Sequence, residues 1–235
     1  GGAGDNILYG GSGADNIYGD GGADTIYGGD GDDRIRVGDS GGSDDETREQ
    51  FIDSGDGDDW IYIRGKGLNL QSNNVKILAG DGDDHIDGYF RYLDAGSGND
   101  FIEIYGQNSG FKVDYLDGGD GTDEVKFFRS GGDKGVGQED WSKIIKNVEV
   151  ITLFDAYQYN LTLGNQAALS NETITVKSSN GQGYGTFDVE SGFQGNIVFT
   201  GVDGVDNVTL GSGNDSANLG AGNDIVTGGE GNDTI

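Results

Sequence analysis

The sequence lacks several residue types, and each absence excludes a class of site. It contains no cysteine, which excludes disulfide bonds and thiolate metal sites, and it contains no proline. Its single histidine, His85, has no second histidine or cysteine with which to bind zinc. The HExxH motif and a histidine-based triad are excluded for the same reason. No apolar run reaches the roughly 18 residues that span a bilayer, and no signal-peptide pattern opens the chain.

Basic residues are scarce as well. The 235 residues include 14 Lys and Arg against 42 Asp and Glu, a net charge of −28, together with 48 glycines. Without cations this composition favours disorder, because little apolar surface is available to offset charge repulsion and glycine entropy. Nucleic acid and anionic membranes are poor partners for such a chain, whereas divalent cations are natural ones. Methionine is absent even at position 1, so we expect a processed form or a piece of a longer protein.

Against this background the glycine and aspartate residues follow a nine-residue pattern, G-G-x-G-x-D-x-U-x, where U is a large aliphatic residue. The fourth position is always glycine, the sixth is aspartate in every unit except the first, which has Asn6, and the eighth is aliphatic. The units begin at Gly1, Gly10, Gly19, Gly28, Ser54, Ala79, Ala95, Gly118, Gly201, Leu210, Leu219 and Gly228.

The pattern has a direct physical interpretation. The first six positions predict a turn in which glycine permits positive φ or close backbone approach, and the last three predict a short strand with one inward aliphatic side chain. Turn carbonyls and the sixth-position carboxylate are hard oxygen ligands of the kind that Ca²⁺ prefers.

On these residues the chain resembles the RTX (haemolysin-type calcium-binding) repeat family of secreted bacterial proteins. The resemblance implies an all-β fold, a right-handed parallel β-roll in which two units form one turn and multiple Ca²⁺ ions lie between adjacent turns. The implied carboxylate ligands are Asp15, Asp24, Asp33, Asp59, Asp84, Asp100, Asp123, Asp206, Asp215, Asp224 and Asp233. The implied backbone ligands are Gly11, Gly13, Gly22, Gly29, Gly31, Gly55, Gly57, Gly80, Gly82, Gly96, Gly98, Gly119, Gly121, Gly204, Gly211, Gly213, Gly220, Gly222, Gly229 and Gly231. Asn6 breaks the pattern and leaves a site at the first turn open.

The units are unevenly distributed, which predicts a roll that is tight at both ends and wider in the middle. We predict an RTX block over 1–36, a wider solenoid with one RTX corner per coil over 37–130, and a second RTX block over 201–235. Residues 131–200 lack the repeat; they contain strand patterns and one candidate helix at 138–148, and they either continue the solenoid or form a separate small β-sandwich.

Carboxylates stacked at the strand spacing of about 4.8 Å repel each other by about 3 kcal/mol per pair at an effective dielectric constant near 20. A buried Ile or Val contributes only about 1.5–3 kcal/mol. Residues 201–235 contain no Lys or Arg to relieve the repulsion. We therefore expect calcium to be part of the fold.

These features predict a non-enzymatic, extracellular module of a bacterial surface adhesin, surface layer or filament that becomes rigid on binding Ca²⁺. The alternative is the C-terminal repeat region of a secreted toxin or hydrolase whose catalytic domain lies outside the chain. A carbohydrate-binding module that uses exposed aromatic residues is a third reading. The last unit stops at its eighth position, so head-to-tail self-association is a further expectation.

Two residue groups have simpler interpretations. Trp60 and Trp141 are expected in the core or as caps. Aspartates at the third and fifth positions are expected to face solvent and to act through their long-range field rather than through direct bonds; they are Asp30, Asp32, Asp56, Asp58, Asp81, Asp83 and Asp120.

Overall fold

A computed structural model describes residues 1–38, 49–63, 74–106, 113–129, 144–154, 158–164, 172–179, 183–190 and 193–235. All regular structure in these residues is β-strand, and every strand pair is parallel, as the parallel β-solenoid prediction requires. No described segment is an apolar helix long enough to cross a membrane. The chain divides into two compact units, Gly1–Ile104 with Ser109–Thr122 and Tyr105–Asn108 with Asp123–Ile235.

The first unit is built from two parallel sheets whose strands alternate along the chain. One sheet has the order β1-β3-β5-β7-β9-β11 and the other has the order β2-β4-β6-β8-β10, so one strand of each sheet makes a coil. The strands are β1 Ile7–Ser12, β2 Asn16–Asp20, β3 Thr25–Asp30, β4 Arg34–Val37, β5 Glu49–Asp56, β6 Trp60–Ile63, β7 Asn74–Asp81, β8 His85–Gly88, β9 Tyr92–Ser97, β10 Phe101–Gly106 and β11 Tyr115–Asp117.

Coil length in this unit changes without disturbing the stacking. The first coils repeat every 18 residues, whereas later neighbours along the stack lie 26, 25 and 16 residues apart. The two long steps agree with the predicted widening, and β5 and β7 are eight residues long. The step from Asp84 to Asp100 is shorter than a tight coil.

Inward aliphatic residues form the core of the first unit. The eighth-position residues Ile17, Ile26 and Ile35 are buried as predicted. Ile26 is followed in register by Ile52 and Ile77, which lie outside the nonapeptides. The apolar row therefore continues where the glycine-aspartate pattern stops, and each fully buried Ile contributes about 1.5–3 kcal/mol.

The second unit also contains two parallel sheets, with the orders β12-β14-β16-β18-β20 and β15-β17-β19-β21. Its core includes four fully buried phenylalanines, Phe127, Phe187, Phe193 and Phe199. The strands are β12 Glu124–Arg129, β13 Ile145–Lys146, β14 Val150–Phe154, β15 Gln158–Leu163, β16 Thr173–Ser179, β17 Gly183–Val189, β18 Asn196–Thr200, β19 Gly204–Thr209, β20 Ser216–Asn218 and β21 Ile225–Thr227.

The described strands of residues 131–200 pair with those of the terminal repeats. Strands β16 and β17 pair in parallel with β18 and β19, which in turn pair with strands of the terminal repeats. The candidate helix at 138–148 is wrong where it can be compared, because Ile145–Lys146 is a strand. Residues 138–143, including Trp141, lie outside the described residues.

Second-position glycines stack so closely that a side chain has no room. Gly29 has φ +115°, and a Cβ built on it would lie 1.9 Å from the carbonyl oxygen of Gly11 on the preceding coil. Gly11 has nearly the same φ, +113°, but a Cβ there meets no atom within 4 Å. Alanine at Gly11 therefore tests backbone strain alone, whereas alanine at Gly29 tests the same strain together with a steric clash.

Gly29→Ala is expected to destabilise the folded protein far more than Gly11→Ala. The strained φ alone costs about 1–3 kcal/mol, and the clash at Gly29 raises the total to about 4 kcal/mol or more. Gly4→Ala is the control, because its nearest neighbour is 4.0 Å away and its φ is ordinary. Urea unfolding of the three variants measures the differences, and equal losses for Gly11→Ala and Gly29→Ala would contradict the close stacking.

Candidate metal centre

The sixth-position residues of the first unit lie in two rows that run from coil to coil. Row A contains Asn6 and Asp24, and the backbone N–H of Asn6 donates a hydrogen bond to Oδ1 of Asp24. Row B contains one aspartate from each of five successive coils. Its members are Asp15, Asp33, Asp59, Asp84 and Asp100.

Each row B carboxylate from Asp33 onward accepts a hydrogen bond from the coil before it. The backbone N–H of Asp33 donates to Oδ1 of Asp59 at 2.7 Å, and that of Asp59 donates to Oδ1 of Asp84 at 2.8 Å. The carbonyl of Asp59 in turn accepts the N–H of His85 on the next coil at 2.8 Å. These bonds draw the side chains inside, so that Asp33, Asp59 and Asp84 are each only 1% exposed.

The second carboxylate oxygen is left without a hydrogen bond. In the part of the chain that the structure describes, Oδ2 is buried and accepts no hydrogen bond in Asp24, Asp33, Asp59, Asp84 and Asp215. Burying an unpaired carboxylate oxygen costs several kcal/mol unless a cation or proton meets it. An orphaned hard oxygen on successive coils therefore fits a divalent ion such as Ca²⁺.

The electrostatics of row B point the same way. Burial raises the pKa of Asp59 to about 6 and that of Asp84 to about 8. The neighbouring carboxylates add to both shifts, whereas a backbone N–H bond opposes each of them. Burial likewise raises the pKa of Asp24, Asp33 and Asp215. Without a cation, these side chains hold protons more tightly in the folded protein than in the unfolded chain.

Side chains alone do not complete a metal site here. No group of three or more His, Asp or Glu side chains converges in the described residues. A Ca²⁺ ion here would therefore need most of its 6 to 8 oxygens from backbone carbonyls or water. The fourth-position glycines bring backbone atoms close together: a Cβ on Gly82 would lie 2.2 Å from the carbonyl oxygen of Gly57, and one on Gly57 would lie 2.6 Å from that of Gly31.

In the second unit the predicted aspartates are joined in pairs and do not form a row of five. The N–H of Asp206 donates to Oδ1 of Asp224 at 3.0 Å, and the N–H of Asp215 donates to Oδ1 of Asp233 at 3.1 Å. Asp123 has a different neighbour: its N–H donates to Oε2 of Glu149 at 2.8 Å.

Sequence reasoning missed Glu149, a half-buried acid outside the nonapeptides. It takes the place that a sixth-position aspartate would have on the next coil, 26 residues after Asp123. Burial raises its pKa as well. The 26-residue step, which also separates Asp33 from Asp59, is the only signal that points to it.

The fifth-position residues form an outer row, and the expectation that they act only through their field is wrong. Asp58 N–H donates to Oδ1 of Asp32 at 3.1 Å, Asp83 N–H to Oδ1 of Asp58 at 2.9 Å, and Asn99 N–H to Oδ1 of Asp83 at 2.7 Å. Their exposed side chains therefore join neighbouring coils through hydrogen bonds. The preference of Asp and Asn for bonding nearby backbone N–H groups explains why the fifth position favours them.

Trp60 lies on the outer face of the first unit, which makes the core or cap expectation wrong. It is 45% exposed, and its ring stacks on that of His85 with centroids 4.9 Å apart. Nε2 of His85 lies 3.4 Å from Oε2 of Glu103. These groups belong to a surface stack, outside row A and row B.

Comparison with known proteins agrees with this geometry. A family model of the RTX calcium-binding nonapeptide repeat matches residues 1–35, 72–90 and 200–235, in four copies. No curated protein and no solved structure matches the chain significantly. The matched segments contain Asp15, Asp24, Asp33, Asp84, Asp206, Asp215, Asp224 and Asp233.

Proposed function

Since this chain is built on RTX calcium-binding nonapeptide repeats, which bind several Ca²⁺ ions, we propose that it is an extracellular structural module that folds and becomes rigid on binding calcium. We place it in a bacterial surface adhesin, surface layer or filament. It would act as a scaffold without catalytic activity of its own.

The observation that carries this proposal is row B. Its carboxylates are buried on successive coils, with Oδ2 of Asp33, Asp59 and Asp84 unpaired. Neighbouring like charges at the strand spacing repel by about 3 kcal/mol per pair. A divalent ion between coils converts this repulsion into attraction, so the calcium-free chain is disfavoured and the calcium-loaded solenoid is stable.

We assign the ligand roles as the repeat pattern implies. Sixth-position carboxylates would supply the charge at each site, and the carbonyls of second- and fourth-position glycines would supply neutral oxygens. Ca²⁺ neutralises buried charge and joins neighbouring coils, while the hydrogen bonds to Oδ1 hold each carboxylate in place before the ion arrives.

Side chains outside the core support a stiff scaffold. On the outer face of the first unit, Tyr9 stacks on Tyr27 at 5.1 Å and Tyr92 stacks on Tyr115 at 4.4 Å, measured between ring centroids. Nζ of Lys76 lies 4.8 Å from the centroid of Tyr92. Each such contact adds about 0.5–1.5 kcal/mol between coils that already share backbone hydrogen bonds.

A calcium titration tests the function. Starting from chelated protein near neutral pH, the β-sheet signal in far-ultraviolet circular dichroism is expected to increase as calcium stabilises the coils, with a midpoint between about 10⁻⁴ and 10⁻³ M Ca²⁺, the range of extracellular modules. Mg²⁺ is the control and is expected to be far less effective, because it demands octahedral geometry. A spectrum that does not change between excess chelator and saturating calcium, or a submicromolar midpoint, would contradict the proposal.

The alternative function, the repeat region of a secreted toxin or hydrolase, involves the same calcium chemistry. It differs from the scaffold in having a catalytic domain encoded elsewhere in the same gene. A catalytic motif encoded beside this chain would favour it. The continuous solenoid strands β14 to β19, which separate the last repeats from the others, favour a scaffold instead.

We further propose head-to-tail self-association. Strand β1 exposes the apolar side chains of Ile7 (66%) and Tyr9 (73%), which another copy of the chain could cover. Light scattering is expected to show assemblies at millimolar calcium and none in chelator. A monodisperse monomer in both conditions would argue against it.

A further inference from the structure

We propose that Gln50, which lies outside the nonapeptides, completes a calcium site with Asn6 and Asp24, so that row A also binds an ion although it has a single carboxylate. This inference rests on the proposed function, since it assumes that the corners bind calcium.

Backbone register places the three residues on successive coils. The N–H of Asn6 donates to Oδ1 of Asp24 at 3.0 Å. On the other side, the N–H of Phe51 donates to the carbonyl of Asp24 at 3.0 Å, and Phe51 is the partner of Thr25 in the sheet. Gln50 therefore lies opposite Asp24, where a tight repeat would have its next sixth-position aspartate.

All three side chains carry a buried oxygen without a hydrogen bond. Among the described residues, Oδ1 of Asn6, Oδ2 of Asp24 and Oε1 of Gln50 accept none. Asp24 is 1% exposed and Gln50 is 8% exposed. Buried polar atoms are nearly always paired, so orphaned oxygens on three successive coils of row A indicate a ligand that supplies positive charge.

The orientation of the Gln50 amide follows from its other contact. Nε2 donates to the carbonyl of Gly22 at 3.0 Å. The reversed amide would place two acceptors against each other, so Oε1 must be the free atom. The bond to Gly22 also fixes the side chain against the corner that contains Asp24.

The chemistry of this corner differs from that of row B. Two amide oxygens and one carboxylate are suitable hard ligands for Ca²⁺, but they carry less charge than neighbouring aspartates do. The next residue in register after Gln50 is the apolar, buried Val75, so row A ends there. We infer a site that is weaker than those of row B.

Calcium calorimetry on the full chain tests the inference with two variants of opposite effect. Gln50→Leu is expected to bind one ion fewer, with the tighter sites unchanged. Asn6→Asp adds a second carboxylate and is expected to tighten the weakest class of site about tenfold, because ligand charge sets calcium affinity. Circular dichroism in saturating calcium checks that each variant folds.

Asp84→Asn in row B is the reference, because it tests the proposed function alone. Loss of an ion in Asp84→Asn, with isotherms of Gln50→Leu and Asn6→Asp identical to wild type, would leave Gln50 as a hydrogen-bond donor to Gly22 only and overturn the inference. No change in Asp84→Asn would instead overturn the calcium assignment of row B. Should Gln50→Leu fail to fold, an unaltered affinity in Asn6→Asp still overturns the inference.

Discussion

Asp84→Asn is expected to stabilise the calcium-free protein and to weaken the calcium-loaded one. Asp84 is 1% exposed, and its Oδ2 is unpaired between Asp59 and Asp100 in row B. Removing its charge relieves desolvation and repulsion, an expected gain of about 1–3 kcal/mol without calcium. With calcium at about one thousand times the dissociation constant, the loss of one ion costs about 4.1 kcal/mol, which exceeds that gain.

The adjacent residue provides the matched control. Asp83 belongs to the outer row, is joined to Asp58 and Asn99 by hydrogen bonds, and keeps its side chain at the surface. Asp83→Asn removes the same charge one residue away and retains an acceptor oxygen, so little change is expected in either condition. Urea unfolding in calcium and in chelator gives four comparisons. Effects of one sign for Asp84→Asn in both conditions would contradict an ion site at row B.

Acidification is expected to stabilise the calcium-free protein. The pKa values of Asp59 and Asp84 are raised from an ordinary 3.8 to about 6 and about 8 in the folded protein. A raised pKa contributes stability that is complete below the ordinary value and is lost as the pH rises through the folded values. Folding without calcium should therefore weaken steadily between about pH 4 and pH 8.

The urea midpoint in chelator measures this effect. We expect a higher midpoint at about pH 5.5, which lies above the isoelectric point of 4.1, than at about pH 8.5. Calcium-loaded protein should respond in the opposite direction, because Ca²⁺ binds ionised carboxylates and competes with protons. An equal or higher midpoint at pH 8.5 for the calcium-free protein would show that row B is not buried in the calcium-free fold.

The nine-residue pattern predicts the parallel solenoid, and the aspartates that line up at its corners, through the family that it resembles. The period places Asp15 and Asp33 in the same row because equal coils return to the same angle every 18 residues. It says nothing about Gln50 or Glu149, whose positions depend on coils of other lengths. Their roles follow from register, which the structure supplies.

Other differences arise from contacts between coils. A helix was expected near Ile145 from local pattern, but that residue is buried in a strand of the solenoid, where tertiary pairing overrides weak helix propensity. Trp60 is expected in the core or as a cap, yet its ring lies on the outer face, where it stacks on His85. The division into four segments and the identity of the calcium ligands stay predictions.

The constancy of row B has a consequence for how such a chain tolerates change. Its successive aspartates are separated by 18, 26, 25 and 16 residues, yet the distance from the backbone N–H of one to Oδ1 of the next stays between 2.7 and 2.9 Å. The length of a coil can thus vary away from row B, while the row B carboxylates stay in register from coil to coil. A segment can be inserted between two successive row B aspartates without disturbing the sites of row B. The condition is that each coil still places one glycine-aspartate turn in that row.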